Sequence, residues 1–168
     1  MASEHIYKQF DSDLEAIRAK VLEMGTLVEE QTANAVKSLI ETDIKLAEQV
    51  MKRDDQINDL ELAIDEEASL LIAKRSPAAG DLRNIMMMLK IITDLERMGD
   101  EAAKIARSTT RIFEDNRMSK PRFIEIKGMA KAVKDMIKTA LNSFARLDLS
   151  DTIDTVSYTH LRAHETHE

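Results

Sequence analysis

The chain has no cysteine. Disulfides, thiolate zinc sites and a cysteine nucleophile are therefore excluded, and a reducing compartment fits. Glycine and proline are scarce, 4 and 2 in 168 residues, and aromatics make up 4%. With Leu, Ile, Ala, Met, Glu and Lys dominant, this is the composition of long helices broken by few turns. Between His5 and His160 there is no histidine, so a carboxylate-bridged di-metal redox enzyme, which uses Glu-x-x-His pairs on two helices, is kept only as the alternative reading. With no nucleophile placed beside a base, no enzyme is expected. No stretch reaches the roughly 18 apolar residues of a membrane span, and Met1-Ala2-Ser3-Glu4-His5 lacks the cationic start of a secretory signal. A soluble, cytoplasmic protein is the expectation. The formal net charge is -7, and nothing basic is gathered on the scale needed to neutralise phosphates, which argues against nucleic acid as a partner.

The apolar residues that are present recur at helical spacing. Ile6, Phe10, Leu14, Ile17, Val21, Met24, Val28, Ala35 and Leu39 predict one helix from His5 to Glu41. Thr42 or Asp43 is the expected N-cap of a second helix, Ile44 to Arg75, with Val50, Ile57, Leu60, Ile64, Leu71 and Ile72 inward. Ser76-Pro77 ends it, since the residue before a proline is pushed out of the α region. A third helix follows from Ala78 to Glu114, then a turn at Asp115-Asn116-Arg117 and Pro121, then a fourth helix from Arg122 to Leu147. No window alternates with period two. The fold class is all-α: an antiparallel three-helix bundle over residues 5–114, followed by a further long helix within 120–155.

That last helix repeats the first. A shift of 105 residues places Met24 on Met129, Val28 on Val133, Ala35 on Ala140, Ser38 on Ser143 and Asp43 on Asp148. The unit of repetition is then three helices, and the chain carries one unit plus the first helix of a second, incomplete one. The fourth helix is expected to expose an apolar face of Phe123, Ile126, Val133, Ile137, Leu141 and Phe144 for want of its own partners. Residues 156–168, with His160, His164 and His167, break from the helical pattern and resemble a translated transposon adapter; they are set aside as non-native. A histidine metal site is the rival reading of this tail, but its spacing fits no common motif.

The segment Leu95-Glu96-Arg97-Met98-Gly99-Asp100 carries the chemistry. Leu82, Ile85, Met86, Leu89, Ile92 and Thr93 form a stripe on the third helix, and its continuation at about 100° per residue runs through Glu96, Gly99, Asp100 and Ala103, so both acids are expected to face inward. A buried carboxylate needs a cation beside it or a raised pKa. Folding the second and third helices into a hairpin about Ser76-Pro77 brings Asp54, Asn58 and Glu61, at the edge of the second helix's stripe, against Glu96 and Asp100. Oxygen donors one turn apart on facing helices suit a hard or borderline cation: magnesium, manganese, calcium or iron.

Three segments together resemble the PhoU family of bacterial phosphate-transport regulators: Asp54-Asp55-Gln56-Ile57-Asn58-Asp59-Leu60-Glu61, Ala73-Lys74-Arg75-Ser76-Pro77 with Asp81-Leu82-Arg83, and Leu95 to Asp100. The resemblance spans about residues 5 to 155. It implies two three-helix units, each with a Glu/Asp-x-x-x-Asp metal motif, matched here by Glu96 and Asp100 and, with Asn in the last place and so less charge, by Asp54 and Asn58. It further implies bound iron, manganese or magnesium, and negative regulation of the phosphate-starvation response. In that role the protein couples the ATPase subunit of a phosphate ABC transporter to a sensor histidine kinase. The full-length form is expected to be a homodimer that meets the membrane only through partners.

Each sign has a plainer reading. Glu96 can be paired with Arg97, Arg53 or Lys104 and only set helix register, or the whole chain can be a structural helical module. Lys74, Arg75 and Arg83 near the hairpin tip can grip an acidic partner or simply suit the carbonyl end of the second helix. Met86 is read as core gap-filling, with an adaptable binding surface on Met86-Met87-Met88 as the rival. Gly25, Gly99 and Gly128 are unfavourable inside helices and are read as points of close helix approach.

Overall fold

The computed structural model describes residues 2–114 and 123–146, with side chains from residue 8 onward. Three long helices, α1 (Ala2–Glu41), α2 (Ile44–Arg75) and α3 (Ala79–Glu114), each pack against the other two. They lie within a compact unit of residues 1–119; α4 (Ile124–Arg146) belongs to a second unit, residues 120–168. Among the described residues there is no strand. The turn at 115–117 with Pro121, the end of the fourth predicted helix at Leu147 and the adapter-like tail lie outside the described residues.

The connections are too short to do anything but reverse the chain. After α1, Thr42 takes a left-handed conformation (φ 60), and Asp43 N–H returns to Ser38 O at 2.9 Å. Asp43, rather than Thr42, then caps α2, its Oδ1 accepting from Leu46 N–H at 3.0 Å. At the other end Ser76 is left-handed (φ 43, ψ 62) and donates its N–H to Ile72 O, closing the helix just before Pro77. Reversals at both links make neighbours antiparallel.

Burial follows a seven-residue pattern. On α1 the seam is Phe10, Ile17, Val21, Met24, Val28, Gln31, Ala35 and Ser38, on α2 Ala47, Val50, Ile57, Ile64, Ala68 and Leu71, and on α3 Ile85, Met88, Ile92, Leu95, Gly99, Ala102 and Ala106. Alternating steps of three and four are the mark of helices meeting at a shallow crossing angle with interlocked side chains. Where α1, α2 and α3 are closest to the first turn, the layer is small: Ala35, Ala47, Val50, Ala102 and Ala106. Gln31 sits buried beside it and donates from Nε2 to the backbone oxygen of Val50 at 2.8 Å, tying α1 to α2 one turn before Asp54.

Two expectations are corrected. The α3 seam is rotated from the expected stripe: Leu82, Met86 and Thr93 are exposed, and Met88, at 3% exposure, takes the core place assigned to Met86, at 47%. A helix that packs against two neighbours centres its buried face between them, so Ile85, Met88 and Ile92 turn in and the Leu82–Met86 edge turns out. In the second unit the α4 face is not laid open: Ile137 is buried, and Phe123, Ile126, Val133, Leu141 and Phe144 are half-buried. Withdrawing such a stripe from water is what its apolar surface favours. Ile124 and Met129 are its exposed large apolar side chains. Among the described residues no helix is long and apolar enough to cross a membrane.

Candidate functional site

Where the α2 seam would take apolar residues between Val50 and Ile57, and between Ile57 and Ile64, it carries Asp54 and Glu61 instead. The α2 acids occupy seam positions, and the α3 acids Glu96 and Asp100 stand beside the seam residues Leu95 and Gly99; all four are half-buried. Asn58 is half-buried on the same side of α2, while Asp55 and Asp59 are exposed, as their places on the helix wheel require.

Gly99 sets how closely the two helices meet here. A Cβ on it would lie 2.7 Å from Ile57 Cδ1, 3.3 Å from Ile57 Cγ2 and 3.6 Å from Asp54 Oδ1. This is the hairpin register expected from Ser76-Pro77, and it seats Asp54 against the glycine's bare face. Gly25 is also buried, but Gly128 has nothing within 4 Å of its Cβ position, and close helix approach does not account for it.

The acids repel one another. Asp54 is pushed above the ordinary aspartate range by burial, then by the charges of Asp100 and Asp55, with Arg107 acting in the opposite direction. Glu61 is raised by burial, then by Glu96, Asp65 and Asp100. The cross-helix couplings run from Asp54 to Asp100 and from Glu61 to Glu96 and Asp100. Asp54 Oδ1 is buried and accepts no hydrogen bond. The cations that the structural reading of Glu96 required are engaged elsewhere: Arg53 with Glu30 at 2.6 Å, Arg97 with Asp94 at 3.6 Å and Lys104 with Glu101 at 2.7 Å. The hydrogen bond to Glu101 is also the main reason the Lys104 pKa is raised.

Among the described residues no three acids or histidines converge closely enough to enclose a metal ion. The carboxylates are coupled across the two helices, Asp54 to Asp100 and Glu61 to both Glu96 and Asp100. The set nevertheless fits a hard cation in donor chemistry and in charge: oxygen donors on facing helices, an orphaned buried carboxylate oxygen, and acids whose mutual repulsion a cation would relieve.

A pH dependence follows from the raised groups. A carboxyl whose folded pKa lies above its unfolded value stabilises the fold when protonated. That contribution is complete below the ordinary carboxylate range and is lost as pH rises through the raised value. In chelator, Asp54→Asn and Glu61→Gln are therefore expected to be more stable than wild type at neutral pH, with the difference vanishing in acid. Urea unfolding across the pH range reads this directly, and a variant less stable at neutral pH would contradict it.

At the hairpin tip, Lys74 and Arg83 are exposed, whereas Arg75 is partly buried and reaches across to Asp13 on α1, Nη2 to Oδ2 4.0 Å. The basic group is thus divided: one side chain fastens α1 to α2 and two are open to solvent. The same strapping recurs along α1 and α2, where Lys20 pairs with Glu67. Sequence reasoning had not singled out Asp13 or Lys20, since a cross-helix pair 47 residues apart, as with Lys20 and Glu67, leaves no local signal.

The family model for the PhoU domain matches residues 21–109. The chain is 43% identical over 157 residues to the phosphate-specific transport system accessory protein PhoU homolog of Pseudomonas putida, covering 93% of this chain and 60% of that protein. It is 36% identical over 151 residues to the Escherichia coli K12 accessory protein PhoU, covering 90% of this chain and 62% of that one. The chain thus spans less than two thirds of the length of these curated relatives. In structure it is similar to the crystal structure of PhoU from Pseudomonas aeruginosa, with a TM-score of 0.88 and 41% identity, covering 93% of this chain and 74% of that one. The phosphate transport system regulatory protein PhoU from Streptococcus pneumoniae follows at a TM-score of 0.79 and 28% identity, with 88% and 69% covered. With its three-helix unit, its facing acids and the glycine that seats them, the chain belongs to the PhoU family.

Proposed function

We propose that this chain is a non-catalytic regulator of phosphate transport that holds the starvation response off by linking the ATPase of a phosphate ABC transporter to a sensor histidine kinase. The names of its relatives support the transport role. It acts in the cytoplasm, reaches the membrane only through these partners, and dimerises in its full-length form. It takes no nucleic acid.

The observation that carries the regulatory reading is the α2–α3 acid set, whose members repel one another and which Arg107 offsets only in part. Asp54, Glu61, Glu96 and Asp100 would hold iron, manganese or magnesium, with Asn58 as a neutral oxygen donor at the rim. When bound, the cation supplies charge neutralisation and cross-links α2 to α3. The residues themselves do the rest: Gly99 sets the spacing, Gln31 holds the turn before Asp54, and Arg107 tempers the charge on Asp54.

Partner contact is assigned to the tip charges Lys74, Arg75 and Arg83. Replacing all three by alanine should weaken association with the transporter ATPase or the kinase several-fold, and make it less sensitive to salt, while far-ultraviolet circular dichroism stays unchanged. Rim charges govern association rate and salt dependence more than folding. Binding measured by pull-down and by surface plasmon resonance at two salt concentrations tests this, and equal affinity in variant and wild type would end the reading.

A further inference from the structure

A cleft of about 310 Å³ opens between α1 and α2, lined by Asp13, Ile17, Glu67, Leu70, Leu71 and Lys74 among others. Its floor is apolar: Ile17 is 2% and Leu71 5% exposed, while Leu70 forms an open lip at 47%. Two cross-helix ion pairs mark off its length, Asp13 with Arg75 at one end and Lys20 with Glu67 at the other. Asp13 and Lys20 are two helical turns apart, so the apolar floor runs for about 10 Å. Ligand pockets range over roughly 300–1,000 Å³, and this one, at the lower bound and open to solvent, has room for one or two side chains rather than a cofactor.

Charge decides what kind of side chains. Asp13 and Glu67 are each matched by a cation from the facing helix, whereas Lys74 has no ion-pair partner among the described residues. The cleft therefore offers an apolar slot and one uncommitted ammonium on its rim. In a chain of net charge -7, acidic segments are repelled from most of the surface and meet attraction here. A basic segment would find both acids taken and Lys74 opposing it. A nucleic acid or an anionic lipid surface would need many open cations, not one.

We propose that the α1–α2 cleft docks a segment of a partner protein that inserts one large apolar side chain over Ile17 and Leu71 and sets a neighbouring carboxylate on Lys74. It rests on the reading of Lys74 as a partner contact and adds the chemistry of what it meets. The apolar anchor removes the exposed Leu70 from water, and the carboxylate selects among anchors.

Three blocked tetrapeptides serve as probes, of sequence Glu-Leu-Phe-Glu, Lys-Leu-Phe-Lys and Glu-Ala-Ala-Glu, titrated into the 15N-labelled full chain. The first should produce saturable amide shifts centred on Ala16, Ile17, Leu70 and Leu71, with the other two at least about fivefold weaker, the scale of one charge contact or one lost anchor. Lys74→Glu, at an exposed position that leaves the fold intact, should exchange the preference between the first two peptides. Equal response to all three peptides, shifts centred elsewhere, no saturable binding, or indifference to Lys74→Glu each overturns the proposal. If the triple alanine variant loses the transporter ATPase while no peptide binds, the tip reading stands and the cleft is wrong. If the acidic apolar peptide alone binds and the triple variant keeps its partner, the cleft takes such a segment from a protein other than the transporter ATPase or the kinase, and the tip reading falls.

Discussion

Manganese or iron added to the wild-type chain should raise its melting temperature, and the Glu96→Gln/Asp100→Asn variant should lose that response while melting higher than wild type in chelator. The crossing of the two orders is the informative part. Without a cation, Asp54 and Glu61 are raised by burial and by the α3 acids, so neutralising Glu96 and Asp100 removes repulsion and stabilises the fold. With a cation the same acids become donors and their loss destabilises. A ligand that binds only the native state contributes RT ln(1 + [L]/Kd), about 2.7 kcal/mol at a hundredfold excess over Kd. For a unit near a hundred residues that is a shift of roughly 10 °C or more. Had the acids been held by Arg53, Arg97 or Lys104, the neutral variant would be less stable both with and without metal, because a basic partner would be stranded. The engagement of those three with Glu30, Asp94 and Glu101 favours the first outcome. Melting curves of both proteins, with metal and with chelator, decide between them. A wild-type curve indifferent to every metal tried ends the metal reading.

The helices were legible because their signals are local and redundant. Asp43 before an apolar run, Ser76-Pro77 after one, and apolar residues at steps of three and four place both ends of α2 and the last residues of α1 and α3 where they are observed, and the starts of α1 and α3 within three residues. The pairing of α2 with α3 was legible too, since a tight link leaves a hairpin only one register, and Gly99 falls opposite Asp54 and Ile57 accordingly. What could not be read was rotation about the helix axis. Leu82, Met86 and Leu89 look like core residues by type, yet Leu82 and Met86 are exposed and Met88 is buried, because the choice among adjacent apolar residues is made by two neighbouring helices at once. That rotation decides which acids sit in a seam: Asp54 and Glu61 take seam positions on α2, Glu96 and Asp100 stand beside the α3 seam, and all four are half-buried. The α1–α2 cleft was invisible for the same reason: Asp13, Lys20, Glu67 and Arg75 pair across helices, and nothing in the local pattern marks such pairs.

Gly99→Val should destabilise the first unit by about 1–3 kcal/mol, the usual range for overpacking a close contact, and should blunt the metal response as well. The added Cβ would sit 2.7 Å from Ile57 Cδ1, so either the isoleucine leaves its rotamer or α2 and α3 move apart. Parting the helices lengthens the reach between Asp54 and Asp100 and between Glu61 and Glu96, the acids that would hold a cation. Helix propensity alone runs the other way, since replacing a mid-helix glycine by a side-chain residue is normally favourable by a fraction of a kcal/mol. A net loss therefore isolates the steric effect. Ile57→Ala supplies the control. By itself it opens a cavity and should cost about 2–5 kcal/mol, but in that background the valine meets empty space, and the double variant should be more stable than the sum of the two losses predicts by on the order of 1 kcal/mol. Urea unfolding of the four proteins gives the coupling. Strict additivity would mean that position 99 does not meet Ile57, and with it would go the account of why a glycine stands between the two acids of α3.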